Sequence, residues 1–282
     1  MKAVAEFYEI PIEQDKNQEF YDKNMRAHSF FRDNIKVNRA AREYLYSRGL
    51  DDTDIEKWQI GFINNRISFP IIDVSNRVLG FSCRTIIDAK PKYINSKNSP
   101  IFIKGGTFFG LNHFNKNSRY ALITEGQFDV ILAHKYGIDF AIATLCCKLS
   151  DKHVEKLRQS GKIPILCYDG DAAGKEGIEK GLRKLSDAGI KGAKLLLLPC
   201  GKDLADISLE LKEKLPAYIK EHTVSYSNYL LSNIADKIDS AINNELQKAM
   251  PSIRRAIVSI PDQEEKDVAK SYIRSRLHLW VN

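Results

Sequence analysis

Short apolar runs alternate with helix-like segments through the middle of the chain, and this rhythm constrains the fold more than any other feature. The stretches between the runs have the spacing of apolar and charged residues that amphipathic helices show. Strands that are apolar throughout and alternate with helices are typical of a parallel sheet covered on both faces. The sequence therefore predicts an α/β domain, with the strands RYALIT, FAIATL, IPILCYD and AKLLLLP.

Acidic residues follow several of these apolar runs. Glu125 follows the first, and Asp129 comes one helical turn later. Asp169 and Asp171 follow the third run, and Asp203 lies in the segment PCGKDLADIS after the fourth. Ligands of such sheets bind beyond the carboxyl ends of the strands, so we expect these acids to gather there. If the strand continues through them, Asp169 and Asp171 point to the same side.

A shared cation would explain why carboxylates gather at one edge. Carboxylates that lie close together repel one another unless a cation lies between them. Mg²⁺ is typically held by one or two carboxylates plus substrate phosphates, so the pattern indicates metal-assisted phosphoryl chemistry. Each acid taken alone has a simpler explanation, because an aspartate before a helix commonly caps its first turn. Asp171, which stands before AAGKEG, could be such a cap.

The positive charge is concentrated in one part of the chain. Residues 61–120 contain 9 Lys and Arg against 2 Asp and Glu, whereas the ratios are 10 to 12 in residues 1–60 and 24 to 22 in residues 121–282. This asymmetry favours a polyanionic partner, although a solvated basic face would have the same composition. Basic and aromatic residues alternate in the segment: Arg66, Phe69, Arg77, Phe81, Arg84, Lys92, Tyr93, Phe102 and Lys104.

The flanking segments predict different structure. The first 60 residues have helical patterns, and RISFPIIDVSNRVLGFSCRTI predicts a β-hairpin. After Pro216 we expect helices alone. The predicted organisation is therefore a mixed α+β basic subdomain over 1–117, an α/β domain over 118–212 and a helical subdomain over 213–282.

Cysteine usage and hydropathy limit the remaining classes. No C-x-x-C pair occurs, so we expect reduced thiols and no zinc site, and three of the five cysteines lie in apolar runs. No apolar run of about 18 residues and no secretory signal are present, so we expect a cytoplasmic protein with no membrane partner. The five cysteines are Cys83, Cys146, Cys147, Cys167 and Cys200.

Several motifs in order carry a resemblance to a known family. E-G-x-x-D after one strand and D-G-D after a later one resemble the Toprim domain. The wider set resembles the RNA-polymerase core of DnaG-type primases over roughly residues 26–282, and the final stretch PSIRRAIVSIPDQEEKDVAKSYIRSRL is similar to the helical subdomain of that core. In chain order the motifs are AREYLYSRGL, RISFPIIDVSNRVLGFSCR, PKYINSKNSPIFIKG, FFGL, TEGQFDVI and LCYDGDAAGKEG.

The resemblance implies roles for individual residues. Glu125, Asp169 and Asp171 match the principal metal-binding and catalytic acids. Asp129 and Asp203 match further metal-binding acids of the same site. The residues that it implies for binding of template or nucleotide are Arg66, Arg84, Lys92, Tyr93, Asn95 and Lys104.

The implied activity is synthesis of short RNA primers from ribonucleoside triphosphates on a single-stranded DNA template, with Mg²⁺ or Mn²⁺. The family's zinc module and helicase-binding domain have no counterpart in this sequence, so we expect another chain to supply a replicative helicase or zinc module. One departure concerns the family pattern G-x-D-P-D: Ala205 stands where the second acid is expected, and Asp206, one position later, could replace it. Two alternatives stay open, a Toprim-type metal-dependent nuclease and a catalytically silent DNA-binding adaptor of the replisome.

Overall fold

The chain forms two compact units, Met1–Lys104 and Gly105–Asn282, and each is described by itself. None of the helices in the described ranges combines the length and apolar character that a bilayer crossing requires. The division into three subdomains stays a prediction. The computed structural model describes residues 16–145, 148–230, 246–258, 260 and 263–277.

The first unit combines helices with a four-stranded antiparallel sheet of order β1–β2–β3–β4. The predicted hairpin is confirmed by the pairing of β2 with β3. Its turn is closed by Asp73, whose Oδ1 accepts hydrogen bonds from the N–H groups of Ser75 and Arg77, at 2.8 and 2.9 Å. The elements are α1 (Gln18–Val37), α2 (Arg39–Ser47), α3 (Asp52–Lys57), β1 (Gly61–Ile63), β2 (Arg66–Ile72), β3 (Val78–Thr85) and β4 (Tyr93–Asn95).

Helix α1 packs tightly on this sheet. A Cβ at Gly61 would lie 2.6 Å from the Cβ of Phe31, so only glycine permits this approach. The rings of Phe31 and Phe81 meet edge to face at 5.1 Å. Phe81 is 8% and Phe69 0% exposed, so both phenylalanines belong to the core and are not available to stack on nucleic-acid bases.

The second unit is built on a five-stranded sheet of order β6–β5–β7–β8–β9. The first four strands are parallel, as the alternation of strands and helices predicts. Short 3₁₀ turns occur at Lys104–Gly106, Leu111–His113 and Lys212–Lys214. The elements are β5 (Tyr120–Thr124), α4 (Gln127–Lys135), β6 (Ala141–Ala143), α5 (Asp151–Ser160), β7 (Ile163–Leu166), α6 (Ala172–Asp187), β8 (Lys194–Leu196), α7 (Leu204–Leu211), α8 (Leu215–His222), β9 (Thr223–Ser225), α9 (Leu246–Val258) and α10 (Gln263–Leu277).

Both faces of this sheet are buried. Leu122 and Ile123 are neighbours on β5, are both 0% exposed, and belong to different apolar clusters. The cluster of Ile123 includes side chains of α5 and α6, and the cluster of Leu122 includes side chains of α4, α7 and α8. Because successive residues of a strand point to opposite faces, helices cover the sheet on both sides and leave the strand ends to form a site.

The last strand corrects one expectation. Thr223–Ser225 pairs antiparallel with β8, Leu196 opposite Thr223 and Lys194 opposite Ser225. The expectation of helices alone after Pro216 is therefore wrong at this strand. Three residues at a sheet edge are too few for a period-two pattern to be visible in the sequence.

Candidate active site

Two acids meet at the carboxyl edge of the parallel sheet. β5 and β7 are neighbours, with Ile123 opposite Leu166, and both strands end there or one residue later. Glu125 is the first residue after β5, and Asp169 is the third after β7. The backbone N–H of Asp169 donates to Oε1 of Glu125 at 3.4 Å. The structure thus places these two predicted site residues side by side.

Asp129 lies beneath this edge, in the first turn of α4, and is 6% exposed. Its Oδ2 accepts from the N–H of Gly126 at 2.9 Å, and its Oδ1 accepts from the N–H of Ala205 at 3.1 Å. Burial and the nearby charges of Asp203 and Asp169 raise the pKa of Asp129 to about 8, although the two N–H donors favour its charged form. Asp129 therefore joins the loop after β5 to the start of α7.

The charges of the acids also affect the buried thiol of Cys167. Cys167 is 1% exposed and directly follows β7. Burial raises its pKa well above the usual value, and the carboxylates of four acids add to that effect: Asp129, Asp169, Asp203 and Glu125. The charges of four acids that follow three different strand ends therefore act on the pKa of one buried thiol.

Asp171 lies outside β7. The strand ends at Leu166, so the predicted strand IPILCYD is too long by its last three residues. The condition under which Asp169 and Asp171 would point to the same side, a strand that continues through both, is therefore not met. Asp171 is exposed and is the N-cap of α6, where its Oδ1 accepts from the N–H of Gly174 at 2.7 Å. The simpler explanation of this residue, a helix cap, is therefore correct as far as Oδ1 is concerned.

Asp203 and Asp206 form a reciprocal cap at the start of α7. Oδ1 of Asp203 accepts from the N–H of Asp206 at 2.7 Å, and Oδ2 of Asp206 accepts from the N–H of Asp203 at 3.2 Å. Asp206 is exposed, whereas Asp203 lies near enough to Asp129 to raise its pKa. Oδ2 of Asp206 is thus engaged in the cap of α7.

Gly170 is a residue of the site that the sequence analysis missed. A Cβ on it would lie 2.0 Å from the carbonyl oxygen of Pro199. Its N–H donates to the carbonyl of Lys202 at 2.8 Å, and its carbonyl accepts from the N–H of Gly201 at 3.2 Å. This backbone clamp holds the loop of Asp169 against the loop that leads to Asp203. In the sequence, the sign of this close approach is a glycine between two acids, Asp169 and Asp171.

The donor chemistry of the site suits a hard divalent cation, because its exposed or half-buried side chains are carboxylates. Within the described ranges, no three His, Cys, Asp or Glu side chains come together as a ready-made metal-binding group. Mg²⁺ is usually bound through one or two carboxylates plus substrate phosphates, so such a group is not required. Of the cysteines, Cys83 is half-buried, Cys167 buried and Cys200 exposed, and Cys146 and Cys147 lie outside the described residues.

The basic candidates lie in the first unit, and Arg84 is the most constrained of them. It is paired with Tyr93 across β3 and β4, and its Nη1 donates to the Tyr93 hydroxyl at 2.8 Å. Its guanidinium lies over the rings of Tyr93 and Tyr44, at 5.3 and 6.0 Å. Burial opposes the charge, but the two tyrosines raise the pKa of Arg84 above its ordinary value. The side chain is therefore held in place as a fixed cation.

Arg66, the second arginine among the candidates, lies on the other face of the sheet from Arg84. Ile67 is opposite Arg84 and Arg66 is opposite Thr85, so Arg66 and Arg84 point to opposite sides of the sheet. Nη1 of Arg66 donates to the carbonyls of Pro91 and Lys92, at 3.1 and 3.4 Å, and so supports the loop before β4. Three further residues were predicted to bind template or nucleotide. Lys92 and Lys104 are exposed, and the uncharged Asn95 is half-buried.

Two family models match the chain. The model described as "DNA primase catalytic core, N-terminal domain" matches residues 62–115, and the one described as "Toprim-like" matches residues 122–208. The second range contains every acid of the site and the parallel strands except the first two residues of β5. The fold and the acidic strand ends therefore define a Toprim protein.

Relatives and solved structures narrow this class. The DNA primase of Buchnera aphidicola is 30% identical, over 86% of this chain and 51% of that protein. The DNA primase of Clostridium acetobutylicum is 26% identical, over 95% of this chain and 53% of that protein. The chain belongs to the DnaG-type primases and corresponds to their catalytic core. It spans about half the length of these curated relatives.

Solved structures agree on the fold. The zinc-binding and RNA polymerase domains of the Aquifex aeolicus primase superpose with a TM-score of 0.80 at 24% identity, over 98% of this chain and 77% of that one. A DnaG primase catalytic domain bound to single-stranded DNA superposes with a TM-score of 0.79 at 22% identity, over 94% of this chain and 98% of that one.

Proposed function

We propose that this chain is the catalytic core of a primase that joins ribonucleotides into a short RNA primer on a single-stranded DNA template. The observation that carries the proposal is the meeting of Glu125 and Asp169 at the carboxyl ends of two neighbouring parallel strands, where the N–H of Asp169 donates to Oε1 of Glu125 at 3.4 Å. Family membership adds the reaction class, since the relatives are DNA primases. The proposed reaction adds a nucleotide to a 3′-hydroxyl and releases pyrophosphate.

Each acid has a proposed role. Glu125, Asp169 and Asp171 hold Mg²⁺ or Mn²⁺, which would offset negative charge on the α-phosphate of the incoming nucleotide. Asp171 caps α6 with Oδ1, so Oδ2 is the atom proposed to face the metal. Asp203 lies close enough to contribute to the same field. Asp129 receives an N–H on each oxygen, an arrangement that favours positioning of the other acids over direct ligation.

The basic segment is proposed to hold phosphates of the template or of the nucleotide. Arg84 is fixed by two tyrosines, and a planar guanidinium is well suited to a phosphate. Lys92 and Lys104 are exposed and would add a sequence-independent, salt-sensitive contribution. The solved relative bound to single-stranded DNA supports a template of that kind. A partner chain that supplies a helicase or zinc module, and a cytoplasmic location, stay predictions.

The test is incubation of the protein with single-stranded DNA, labelled ribonucleotides and either Mg²⁺ or Mn²⁺. The proposal predicts RNA products that require both the template and the metal, and that are absent with a chelator or after Glu125→Gln. Cleavage of the DNA without any nucleotide would identify a Toprim-type nuclease instead. Binding of DNA without either reaction would identify a silent adaptor.

A further inference from the structure

The second unit has a basic cleft formed by three helices. The end of α6, the end of α9 and the start of α10 enclose a volume of about 510 Å³. The described residues that line it include four cations, Arg183, Arg254, Arg255 and Lys266, and one acid, Asp187. None of these residues belongs to the acidic site. The cleft therefore combines a local excess of positive charge with a concave shape.

The cations of the cleft are poorly neutralised by the acids that the structure describes. The closest contact of Arg183 with Glu179 is 3.8 Å, longer than a hydrogen bond, and Arg183 is 64% exposed. Arg254 and Lys266 make no ion pair with any residue in the described ranges. Lys180, elsewhere on α6, differs from these cations because it forms an ion pair with Glu176.

We propose that this cleft binds phosphates of single-stranded nucleic acid, as a second anchoring point outside the acidic site. Three of the four cations are arginines, whose planar guanidinium groups can bind phosphate oxygens through two parallel hydrogen bonds. A phosphate therefore suits the cleft in both charge and geometry. Val258 lines the cleft, is 73% exposed, and offers an apolar contact to a sugar or base. The choice of a strand over a free nucleotide rests on the proposed function, because a template-copying enzyme meets that polyanion continuously.

The physical consequence is a gain in local template concentration. A strand that is bound at the cleft stays near the acidic site, so it binds there again more often than a free strand does. This gain requires no new contact with the acids. The cleft would read no sequence, because phosphate contacts carry none directly. It would strengthen binding of long strands and make that binding more sensitive to salt.

The test compares two double variants with the same change in net charge. Arg254→Ala with Lys266→Ala removes cations of the cleft, and Lys180→Ala with Lys184→Ala removes paired lysines of α6 outside it. Binding of a fluorescein-labelled oligothymidylate is followed by anisotropy across a salt titration, with a chelator and no nucleotide. Each lost phosphate contact lowers the slope of log K against log salt by about 0.7, so the cleft variant should lose about 1.4 in slope and about tenfold in affinity at physiological salt.

Equal losses in the two double variants, or no loss in either, would overturn the proposal. Weakened binding of a fluorescent ATP analogue with unchanged binding of the oligonucleotide would also overturn it, in favour of a nucleotide pocket. If the alanine double variant melts below the parent, Arg254→Gln with Lys266→Gln supplies the same comparison with side chains of similar length. The assay contains no metal or nucleotide, so its result is independent of whether the acidic site synthesises RNA.

Discussion

Oδ1 of Asp129 accepts a hydrogen bond from the backbone N–H of Ala205, 76 residues later in the chain, at 3.1 Å. Ala205 lies in the first turn of α7, two residues after the capping residue Asp203. The other oxygen of Asp129 accepts from the N–H of Gly126, next to Glu125. One buried side chain therefore sets the spacing between acids that come from different strand ends.

Asp129→Leu should destabilise the protein. A leucine side chain accepts no hydrogen bond, so the N–H groups of Gly126 and Ala205 would lose their partner whichever protonation state the carboxyl has in the parent. Such a loss costs about 1–3 kcal/mol, which urea titration would detect as a lower free energy of unfolding. Asp206→Leu is the control, because loss of that exposed cap should cost about 1 kcal/mol or less. Stability equal to the parent's in Asp129→Leu would show that the two hydrogen bonds do not hold the site together.

Gly170→Ala should separate the two loops that carry Asp169 and Asp203. The new methyl group would overlap the carbonyl oxygen of Pro199, a backbone atom that cannot move alone. Overpacking of this kind costs about 1–3 kcal/mol, and we expect lost synthesis along with the lower melting temperature. The matched control is Gly105→Ala, since a Cβ there would meet only the Ser150 Cβ at 4.0 Å. Equal melting temperatures for the two variants would contradict the clamp.

His153 should make stability depend on pH. It is 0% exposed, its Nε2 lies 3.1 Å from the carbonyl of Thr107, and burial lowers its pKa from the usual 6.5, against the effect of that carbonyl. Because the pKa is lower in the folded state, the unfolded state binds more protons below about pH 6.5. The free energy of unfolding should therefore be highest above that pH and fall as pH decreases toward the folded pKa.

The measurement for His153 is the melting temperature of the parent and of His153→Gln from about pH 8 to about pH 5.5. Burial also lowers the pKa of His28, so the variant should keep part of the decline. We expect a shallower decline in His153→Gln than in the parent. Parallel curves for the two proteins would show that His153 is not linked to folding.

Lys92→Ala should weaken DNA binding and reduce its dependence on salt. Loss of one phosphate contact lowers the slope of log K against log salt by about 0.7, at any DNA sequence. Lys57→Ala removes the same charge from an exposed position on α3 in the same unit and serves as the control. If both variants bind like the parent across the titration, the basic segment is only a solvated surface.

The strands and their acids were predictable from sequence because they leave local patterns. An apolar run that ends in Glu125, and another that ends before Asp169, identify two strand ends without any knowledge of what lies between. The rule that parallel strands end at one edge then brings the two acids together, as the structure shows.

Other parts of the site leave no such pattern. The bond between Asp129 and Ala205 joins a side chain to a backbone group far away in sequence, and any residue but proline could supply that N–H. The clamp at Gly170 depends on how closely two loops approach, which is a property of the packed sheet. The place where β7 ends, and with it the direction of Asp171, is set by the same packing.

The most direct test of the acidic site is RNA synthesis by Glu125→Gln on a single-stranded DNA template at saturating Mg²⁺, with DNA binding measured on the same samples. Substitutions that only disturb the surroundings of a metal ligand cost about 10–100-fold, so loss of a ligand should reduce synthesis by more than about a hundredfold while DNA binding stays at the parent's level. Asp206→Asn, which alters only the exposed cap of α7, should retain most synthesis. Synthesis by Glu125→Gln near the parent's rate would contradict the assignment of these strand-end acids as the catalytic metal site.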